Sequence, residues 1–343
     1  MQLYRAGVFL LLLLLPGAGH ADEHFPGLRW EKLLTDTASW SSDKLAEAEA
    51  WSRQIGSTAL MIVQHGLVVA EWGDTTARAP LASVRKSLLS ALIGVAVARH
   101  QINLDATLGS LDIDDNAPSL SAEEKAATVR DLLEARSGVY HPACYETARI
   151  AELRPARFSH KPGTFWYYNN WDFNALGTIY ENAVRSSIYD AFLHEIAEPI
   201  GMEDYRPSDG DYVHCAASVH PAYTFNMSAR DLARFALLYL DGGKWQDRQI
   251  VPAQWVEDST RAYSQSDFGP GYGNLWWTGF GRLPPGTFFA AGAGGQFAFV
   301  IPSSDLVLVH RAPRVILSDG SPRFSEIGRL LSLVLDAAGG RHP

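Results

Sequence analysis

Ser83 and Lys86 stand three residues apart at the start of a predominantly apolar segment. If that segment is a helix, one turn brings the hydroxyl and the amine onto the same face, within reach of each other. A serine hydroxyl is a poor nucleophile until a neighbouring base removes its proton. A lysine amine is such a base when burial or a nearby cation lowers its pKa. The spacing therefore predicts a nucleophile, Ser83, with Lys86 as its activating partner.

The same S-x-x-K spacing occurs at Ser41 and Lys44, and about one such match arises by chance in a chain of this length. The sequence around Ser41 is polar and acidic, so its lysine stays solvated and charged, and the hydroxyl is better explained as a helix cap. After Ser83, the apolar residues from Leu88 to Val97 are able to desolvate Lys86. This physical difference favours the second pair.

A second group of candidates combines phenols with amides. Tyr167 and Tyr168 precede Asn169 and Asn170. A phenol near the amine acts as a general acid or base, and an amide binds substrate or orients the lysine. The Y-x-N spacing fits both tyrosines, and it occurs again near residue 272. Aromatic packing with a satisfied hydroxyl explains these tyrosines equally well, so the spacing alone chooses none of them.

A glycine-rich run, Gly292–Gly295 with Ala293 inside it, separates two strand-like segments near the C-terminus. Glycine lets the backbone approach a ligand closely, and N–H groups at a strand edge stabilise an oxyanion. Taken by itself, the run is equally compatible with a turn that binds no ligand.

In this order, the three groups resemble the motifs of the serine β-lactamase-related hydrolases. These include class C β-lactamases, DD-peptidases of the penicillin-binding type, esterases of that fold and enzymes similar to 6-aminohexanoate-dimer hydrolase. The likeness extends over about residues 58–309. It includes segments outside the catalytic motifs: Asp131-Leu132-Leu133, Ser137-Gly138-Val139, Pro199-Ile200-Gly201-Met202, Ser228–Arg234 and Gly294-Gly295-Gln296. Such joint matching is more specific than any one motif.

The resemblance implies catalytic roles. Ser83 would be the acylated nucleophile, Lys86 its activating partner and Tyr168 the acid or base. The family's P-G-T and Y-S-N spacing falls on the run Pro162–Asn170 and puts Tyr168 in register, which leaves Tyr167 for packing. Whether the lysine or the tyrosine takes the serine proton stays open.

The resemblance also implies substrate contacts. Asn170 would be a polar contact to substrate. The backbone N–H groups of Ser83 and of Ala293, directly after Gly292, would form an oxyanion hole.

The third motif departs from the family pattern. Where the family often has Lys or His, then Thr or Ser, then Gly, this chain has Ala290-Ala291-Gly292. The missing cation and hydroxyl are groups that would pair with the carboxylate of a β-lactam or of a peptide C-terminus. Three arginines elsewhere are candidates to compensate: Arg85, Arg282 and Arg311. The departure favours an esterase or amidase acting on a less charged substrate.

Two alternatives remain open from the sequence. One is a β-lactamase or DD-peptidase with the same mechanism, and the other is a penicillin- or peptide-sensing binding module with little turnover. We expect neither a metal nor an organic cofactor. The run from His194 to Glu198 differs by one residue from a zinc-protease motif, and an amphipathic helix face explains it better.

The composition narrows the partners. The 343 residues are 47% hydrophobic, and 29 basic against 38 acidic residues give a formal charge of −9. A chain of this sign repels phosphate backbones, so nucleic acid is not expected as a partner. We expect a small-molecule ester, amide or lactam as substrate.

The N-terminus reads as a cleavable secretory signal covering residues 1–21, with cleavage after Ala21. Its apolar run, Ala6–Leu15, is too short to span a bilayer, so we expect no stable membrane insertion. Residues 22–343 would then be a secreted or periplasmic catalytic domain. Export permits a disulfide between Cys144 and Cys215, but the sequence leaves their pairing open.

The elements that position these residues follow from periodicity. Two β-branched runs around His65-Gly66 predict a hairpin, and the segment after Ser83 predicts a buried helix. Residues of about 103–215 have helix signals, and the last third returns to strands before a final helix near 324–337. We therefore predict an α+β, β-lactamase/transpeptidase-like fold: an antiparallel sheet flanked by helices, with a mostly helical inserted subdomain.

Overall fold

The computed structural model describes residues 24–33, 40–267, 269–279, 281, 283–313 and 324–339. The predicted signal segment, residues 1–21, lies outside these ranges, as does Arg282. No helix of the described part has both the length and the apolar character that crossing a bilayer requires.

Thirteen strands occur in the described residues. They are β1 (Ala59–Gln64), β2 (Leu67–Gly73), β3 (Ala79–Pro80), β4 (Gly210–Cys215), β5 (Ser218–Met227), β6 (Lys244–Trp245), β7 (Arg248–Gln249), β8 (Ser264–Gln265), β9 (Gly271–Tyr272), β10 (Trp277–Thr278), β11 (Phe288–Gly292), β12 (Gln296–Ile301) and β13 (Leu306–Arg311). Eight of them form one antiparallel sheet in the order β2-β1-β13-β12-β11-β10-β9-β8. Smaller sheets have the orders β3-β5-β4 and β6-β7.

Nine α-helices accompany the sheets in the same part of the chain. They are α1 (Ser42–Gln54), α2 (Arg85–Ala98), α3 (Val129–Leu133), α4 (Ala148–Glu152), α5 (Asn170–Val184), α6 (Ile188–Phe192), α7 (Ala229–Leu240), α8 (Ala253–Ser259) and α9 (Phe324–Ala337). A 3₁₀ turn, Ala82–Val84, leads directly into α2. The predicted α+β architecture, with an antiparallel sheet to which both ends of the chain contribute, is confirmed.

The predicted N-terminal hairpin is confirmed. β1 and β2 are antiparallel, and His65 and Gly66 between them both have positive φ, as a two-residue hairpin turn requires. β1 also pairs with β13, which places the first and last strands of the main sheet side by side. All of β1 except its last residue is buried.

Helices cover both faces of the main sheet. Phe288 and Phe289 are consecutive on β11, so their side chains point to opposite faces. Phe288 contacts Tyr239 of α7, whereas Phe289 contacts Phe324 of α9. The core therefore lies in two layers, with α7 on one face and α9, packed on α1, on the other.

The helix after Ser83 is buried as its apolar sequence predicts. Every residue of α2 from Arg85 to Ala96 is buried. A Cβ on Gly94 would lie 2.3 Å from the Trp255 ring, so glycine is required where α2 crosses α8. Ser90 adds a hydrogen bond from its Oγ to the Asn274 carbonyl (2.8 Å). These contacts fix the helix that carries the candidate base.

Two expectations about strands need correction. Residues 210–215 and 218–227 form the β4–β5 ladder, which the sequence pattern did not predict, because β4 is largely exposed and carries polar residues. In the last third, where the pattern predicts strands, residues 274–276 belong to no strand, and only Trp277–Thr278 pair in the sheet.

Candidate active site

Ser83 lies in the 3₁₀ turn that precedes α2, and its side chain is half-buried. Ala82 before it has a φ of 49°, a left-handed conformation that costs a residue with a Cβ about 1 kcal/mol or more. The Leu81 N–H donates to the Phe225 carbonyl of β5 at 2.8 Å and helps to hold this turn. The backbone therefore presents the serine from a constrained bend.

Lys86 is joined to Ser83 by a hydrogen bond of 2.8 Å between Nζ and Oγ. The lysine is 2% exposed. Its amine lies 4.9 Å from the ring centres of both Tyr168 and Phe173. Burial, followed by the positive charge of Arg85, lowers the pKa of Lys86 well below its ordinary value of 10.5. A lysine in this state is suited to accept a proton.

Tyr168 completes the group. It is 9% exposed and in hydrogen-bond contact with Ser83. Burial raises its pKa to about 12, although Ser83 and Arg85 oppose that rise. At neutral pH the phenol is therefore protonated and able to donate. The structure brings together all three predicted catalytic residues, Ser83, Lys86 and Tyr168.

Tyr167 is directed away from this group. Its hydroxyl donates to the Ile150 carbonyl at 2.7 Å, which is the packing position expected for it. Tyr272, the alternative tyrosine of the sequence, is buried in ring contact with Tyr168. Neighbouring tyrosines thus have different partners, and of these three only Tyr168 contacts both Ser83 and Lys86.

The start of α5 holds Tyr168 in place. Asn169 caps α5 by accepting from the Trp171 N–H, and its Nδ2 donates to the Val139 carbonyl at 2.6 Å. Asp172 accepts from Ser137 at 2.5 Å, and burial raises the pKa of this carboxyl well above its usual range. Asn170 is buried in the first turn of α5. Its predicted contact with substrate stays a prediction.

The end of β11 lies against the serine turn. A Cβ on Gly292 would lie 2.4 Å from the Leu81 carbonyl oxygen and 3.1 Å from the Ser83 nitrogen. Glycine is therefore required there by a close backbone approach. Ala293 follows in the turn after β11 and is half-buried. The third predicted motif is thus adjacent to Ser83, and the roles of Gly292 and Ala293 stay predictions.

Of the three arginines that were candidates to compensate, Arg311 has other partners and Arg282 lies outside the described residues. Arg311 is buried and uses all three of its nitrogens, since it donates to Gln296 and to three backbone carbonyls on β3 and β5. Ala290 and Ala291 are buried on β11.

An aromatic cluster beside Tyr168 was largely missed from the sequence. Trp277 stacks on Tyr168 with ring centres 5.5 Å apart, and Tyr272 and Trp166 meet Trp277 edge-on. The cluster combines a segment before α5 with two short strands about 100 residues later, and no local pattern links them.

The zinc-like run is explained by ion pairs. His194 pairs with Glu198, and Glu195 pairs with Arg99. Within the ranges that the structure describes, no group of three or more His, Cys, Asp or Glu side chains is arranged to hold a metal.

The two cysteines are bonded to each other. Cys144 and Cys215 form a disulfide with their Cα atoms 5.6 Å apart, which resolves the pairing that the sequence left open. The bond ties the loop before α4 to the end of β4.

An antiparallel sheet flanked by helices, with a serine and a buried lysine at the start of a core helix, defines the β-lactamase/transpeptidase-like class of fold. The chain belongs to the Beta-lactamase family, whose match covers residues 42–310. The resemblance drawn from the sequence is thereby confirmed.

Solved structures agree on the fold. A Bacillus anthracis protein assigned as a 6-aminohexanoate-dimer hydrolase has a TM-score of 0.67 at 20% identity, covering 90% of this chain and 87% of that one. A family VIII carboxylesterase has a TM-score of 0.65 at 16% identity, with coverages of 90% and 99%. A penicillin-binding protein homologue from Caulobacter crescentus has a TM-score of 0.63 at 15% identity, with coverages of 87% and 98%. No curated protein sequence matches the chain.

Proposed function

We propose that this protein is an exported serine hydrolase that cleaves an ester or amide bond of a small, weakly charged substrate through an acyl-enzyme on Ser83. The observation that carries the proposal is the 2.8 Å hydrogen bond between Ser83 Oγ and the buried amine of Lys86. The disulfide supports the exported location, because such bonds persist mainly in oxidising compartments.

In the proposed first half-reaction, Lys86 takes the proton of Ser83, because burial lowers the pKa of the amine and favours its neutral form. Oγ then bonds to the substrate carbonyl carbon. The resulting tetrahedral oxyanion collapses and the scissile C–O or C–N bond breaks, while Tyr168, whose pKa of about 12 keeps it protonated, gives its proton to the leaving alcohol or amine. The lysine ammonium returns a proton to the phenolate, so the acyl-enzyme forms with both groups restored.

In the second half-reaction, water attacks the acyl carbon and loses a proton to the Lys86–Tyr168 pair. Ser83 Oγ leaves and is reprotonated, which releases the acid. The N–H groups of Ser83 and Ala293 would stabilise the oxyanion in both halves. Each such donor contributes about 3 kcal/mol in comparable sites. The close approach of Gly292 to the Ser83 nitrogen supports this assignment.

Substrate preference follows from the lining of the site. The aromatic cluster around Trp277 makes the surroundings of Tyr168 apolar. The alanines at 290 and 291 offer no partner for a carboxylate. We therefore propose a neutral, partly apolar ester or amide as substrate, with Asn170 as a polar contact.

The test is intact-protein mass after exposure to a fluorophosphonate and, separately, to a penicillin. We expect one fluorophosphonate adduct on the wild type and on Ser41→Ala, and none on Ser83→Ala. Steady hydrolysis of a short p-nitrophenyl ester, lost in Ser83→Ala alone, completes the expected result. A wild type that forms no adduct with either reagent contradicts the nucleophile assignment.

The second candidate is a β-lactamase or DD-peptidase of the same mechanism, which the likeness to a penicillin-binding protein homologue favours. Rapid turnover of penicillin, or release of D-alanine from a D-alanyl-D-alanine peptide, would favour this reading over the esterase. A penicillin adduct that persists without turnover would instead favour the sensing module.

A further inference from the structure

Arg85 has an unusual position for an arginine, since it lies inside the protein next to the candidate base. It is 1% exposed. Its guanidinium lies between two aromatic rings, 5.3 Å from the centre of Tyr145 and 5.2 Å from that of Tyr223. Nη1 donates to the Ala82 carbonyl at 3.2 Å, one residue before Ser83.

The charge of Arg85 is not neutralised by an acid. In the part of the chain that the structure describes, its guanidinium donates to the Ala82 carbonyl and to no carboxylate, and its Nε and Nη2 have no hydrogen-bond partner. Arg311, which is buried to a similar extent, uses all three nitrogens. Burying an unpaired charge is costly, and removing it or pairing it would stabilise the fold. A function that uses the charge explains why it is tolerated.

The other groups around Lys86 contribute no competing charge. Tyr168 is protonated at neutral pH, and burial raises the pKa values of Tyr223 on β5 and Tyr272 on β9 above their ordinary value as well. On α5, Asp172 is held by Ser137, and its raised pKa favours the neutral acid.

The third motif adds no charge either, because an alanine stands at position 290. Among the described residues, Arg85 is therefore the cation that acts on Lys86, and its guanidinium is held at the Ala82 carbonyl, directly before Ser83. Its effect on the amine is the second cause, after burial, of the lowered pKa of Lys86.

We propose that Arg85 is a positioning residue whose buried, unpaired positive charge keeps the neighbouring amine of Lys86 neutral, so that the amine can take the proton of Ser83. This inference rests on the proposed function of the pair. Arg85 lies inside the S-x-x-K motif and would supply a positive charge, which the third motif lacks.

The test is the pH dependence of kcat/KM for a short p-nitrophenyl ester, with hydrolysis by Ser83→Ala subtracted as background. In the wild type, kcat/KM rises with pH as Lys86 loses its proton. Without the neighbouring charge the amine holds its proton to higher pH. We therefore expect this limb to move by about one unit toward higher pH in Arg85→Gln, because a nearby like charge disfavours the protonated amine. At a pH on the rising limb, a shift of this size lowers kcat/KM about tenfold, and kcat/KM recovers at high pH.

Arg85→Lys keeps the charge and should keep the wild-type limb. Arg85→Met, whose unbranched side chain fits between the same two rings, is a second neutral variant and should shift the limb as Arg85→Gln does. A uniform loss at all pH values, with the limb unmoved in a folded neutral variant, overturns the inference and indicates a structural role.

A measurement on the wild type keeps the proposal falsifiable even if the neutral variants do not fold. NMR of ¹³Cε-labelled lysine, with Lys86 assigned from Lys86→Arg, reports the protonation of its amine directly. A Lys86 that is protonated at neutral pH overturns the proposal. Failure of the wild type to be labelled on Ser83 would instead contradict the proposed function.

Discussion

The chain contains the S-x-x-K spacing twice, and the structure uses the two copies differently. At Ser41, the hydroxyl accepts a hydrogen bond from the backbone N–H of Lys44 and caps α1. At Ser83, the hydroxyl is hydrogen-bonded to the side-chain amine of Lys86. Identical spacing therefore yields a helix cap in one region and a candidate nucleophile–base pair in the other.

The difference arises from the surroundings of the two helices. Lys44 is exposed on α1, most of which faces solvent, whereas Lys86 lies in a helix whose residues are buried almost throughout. The backbone differs too, since Ser41 is extended and Ser83 follows a left-handed Ala82. The spacing brings the two side chains within reach of each other, but burial and backbone geometry determine whether they form a helix cap or a hydrogen-bonded serine–lysine pair.

The two lysines, Lys44 and Lys86, give the most direct test of this difference. We expect Lys86→Ala to lower kcat/KM for a p-nitrophenyl ester by about 1000-fold, since general bases contribute within that range. Lys44→Ala should stay within about twofold of the wild type because its amine is solvated. Steady-state kinetics on both variants checks this. Full turnover by Lys86→Ala would show that the base is assigned wrongly.

A similar contrast exists between the adjacent tyrosines. Tyr168→Phe removes the proposed acid, and we expect kcat to fall about 100-fold with KM little changed. Tyr167→Phe removes the hydrogen bond to the Ile150 carbonyl and the contact of the hydroxyl with Arg154, so it should cost about 1 kcal/mol in the free energy of unfolding and leave kcat intact. Urea unfolding and steady-state kinetics on the two variants separate these effects. Equal losses of kcat in the two variants would contradict the assignment of Tyr168, rather than Tyr167, as the proposed acid.

How far the sequence predicted the site depends on how local each pattern is. The β1–β2 hairpin and the buried α2 follow from runs of neighbouring residues, and so does the choice of Ser83 over Ser41. The position of Trp277 against Tyr168 depends on pairing among short strands far along the chain, which no local period encodes. The pairing of Cys144 with Cys215 needed a distance, and β4 was missed because its exposed face lacks apolar alternation.

A smaller effect is expected where β11 meets the serine turn. In Gly292→Ala, the new Cβ would lie 2.4 Å from the Leu81 carbonyl oxygen, so the strand end must move away from Ser83. We expect kcat/KM to fall about tenfold, the loss of part of one oxyanion donor. The matched control is Gly27→Ala, where nothing lies within 4 Å of the added Cβ. Unchanged kinetics in both variants would contradict the proposed role of the Ala293 N–H in the oxyanion hole.

The smallest expected effect concerns the other serine and completes the comparison. Ser41→Ala removes the side-chain cap of α1, and losing such a cap costs about 1 kcal/mol of stability. Because α1 packs on α9 at the outside of the sheet, this cost should appear in urea unfolding without a change in kcat/KM or in fluorophosphonate labelling. A loss of labelling in Ser41→Ala would show that the two serines are not separated in function. Retained labelling with a lower unfolding midpoint would mean that one motif stabilises a helix end, while the other is left to supply the chemistry.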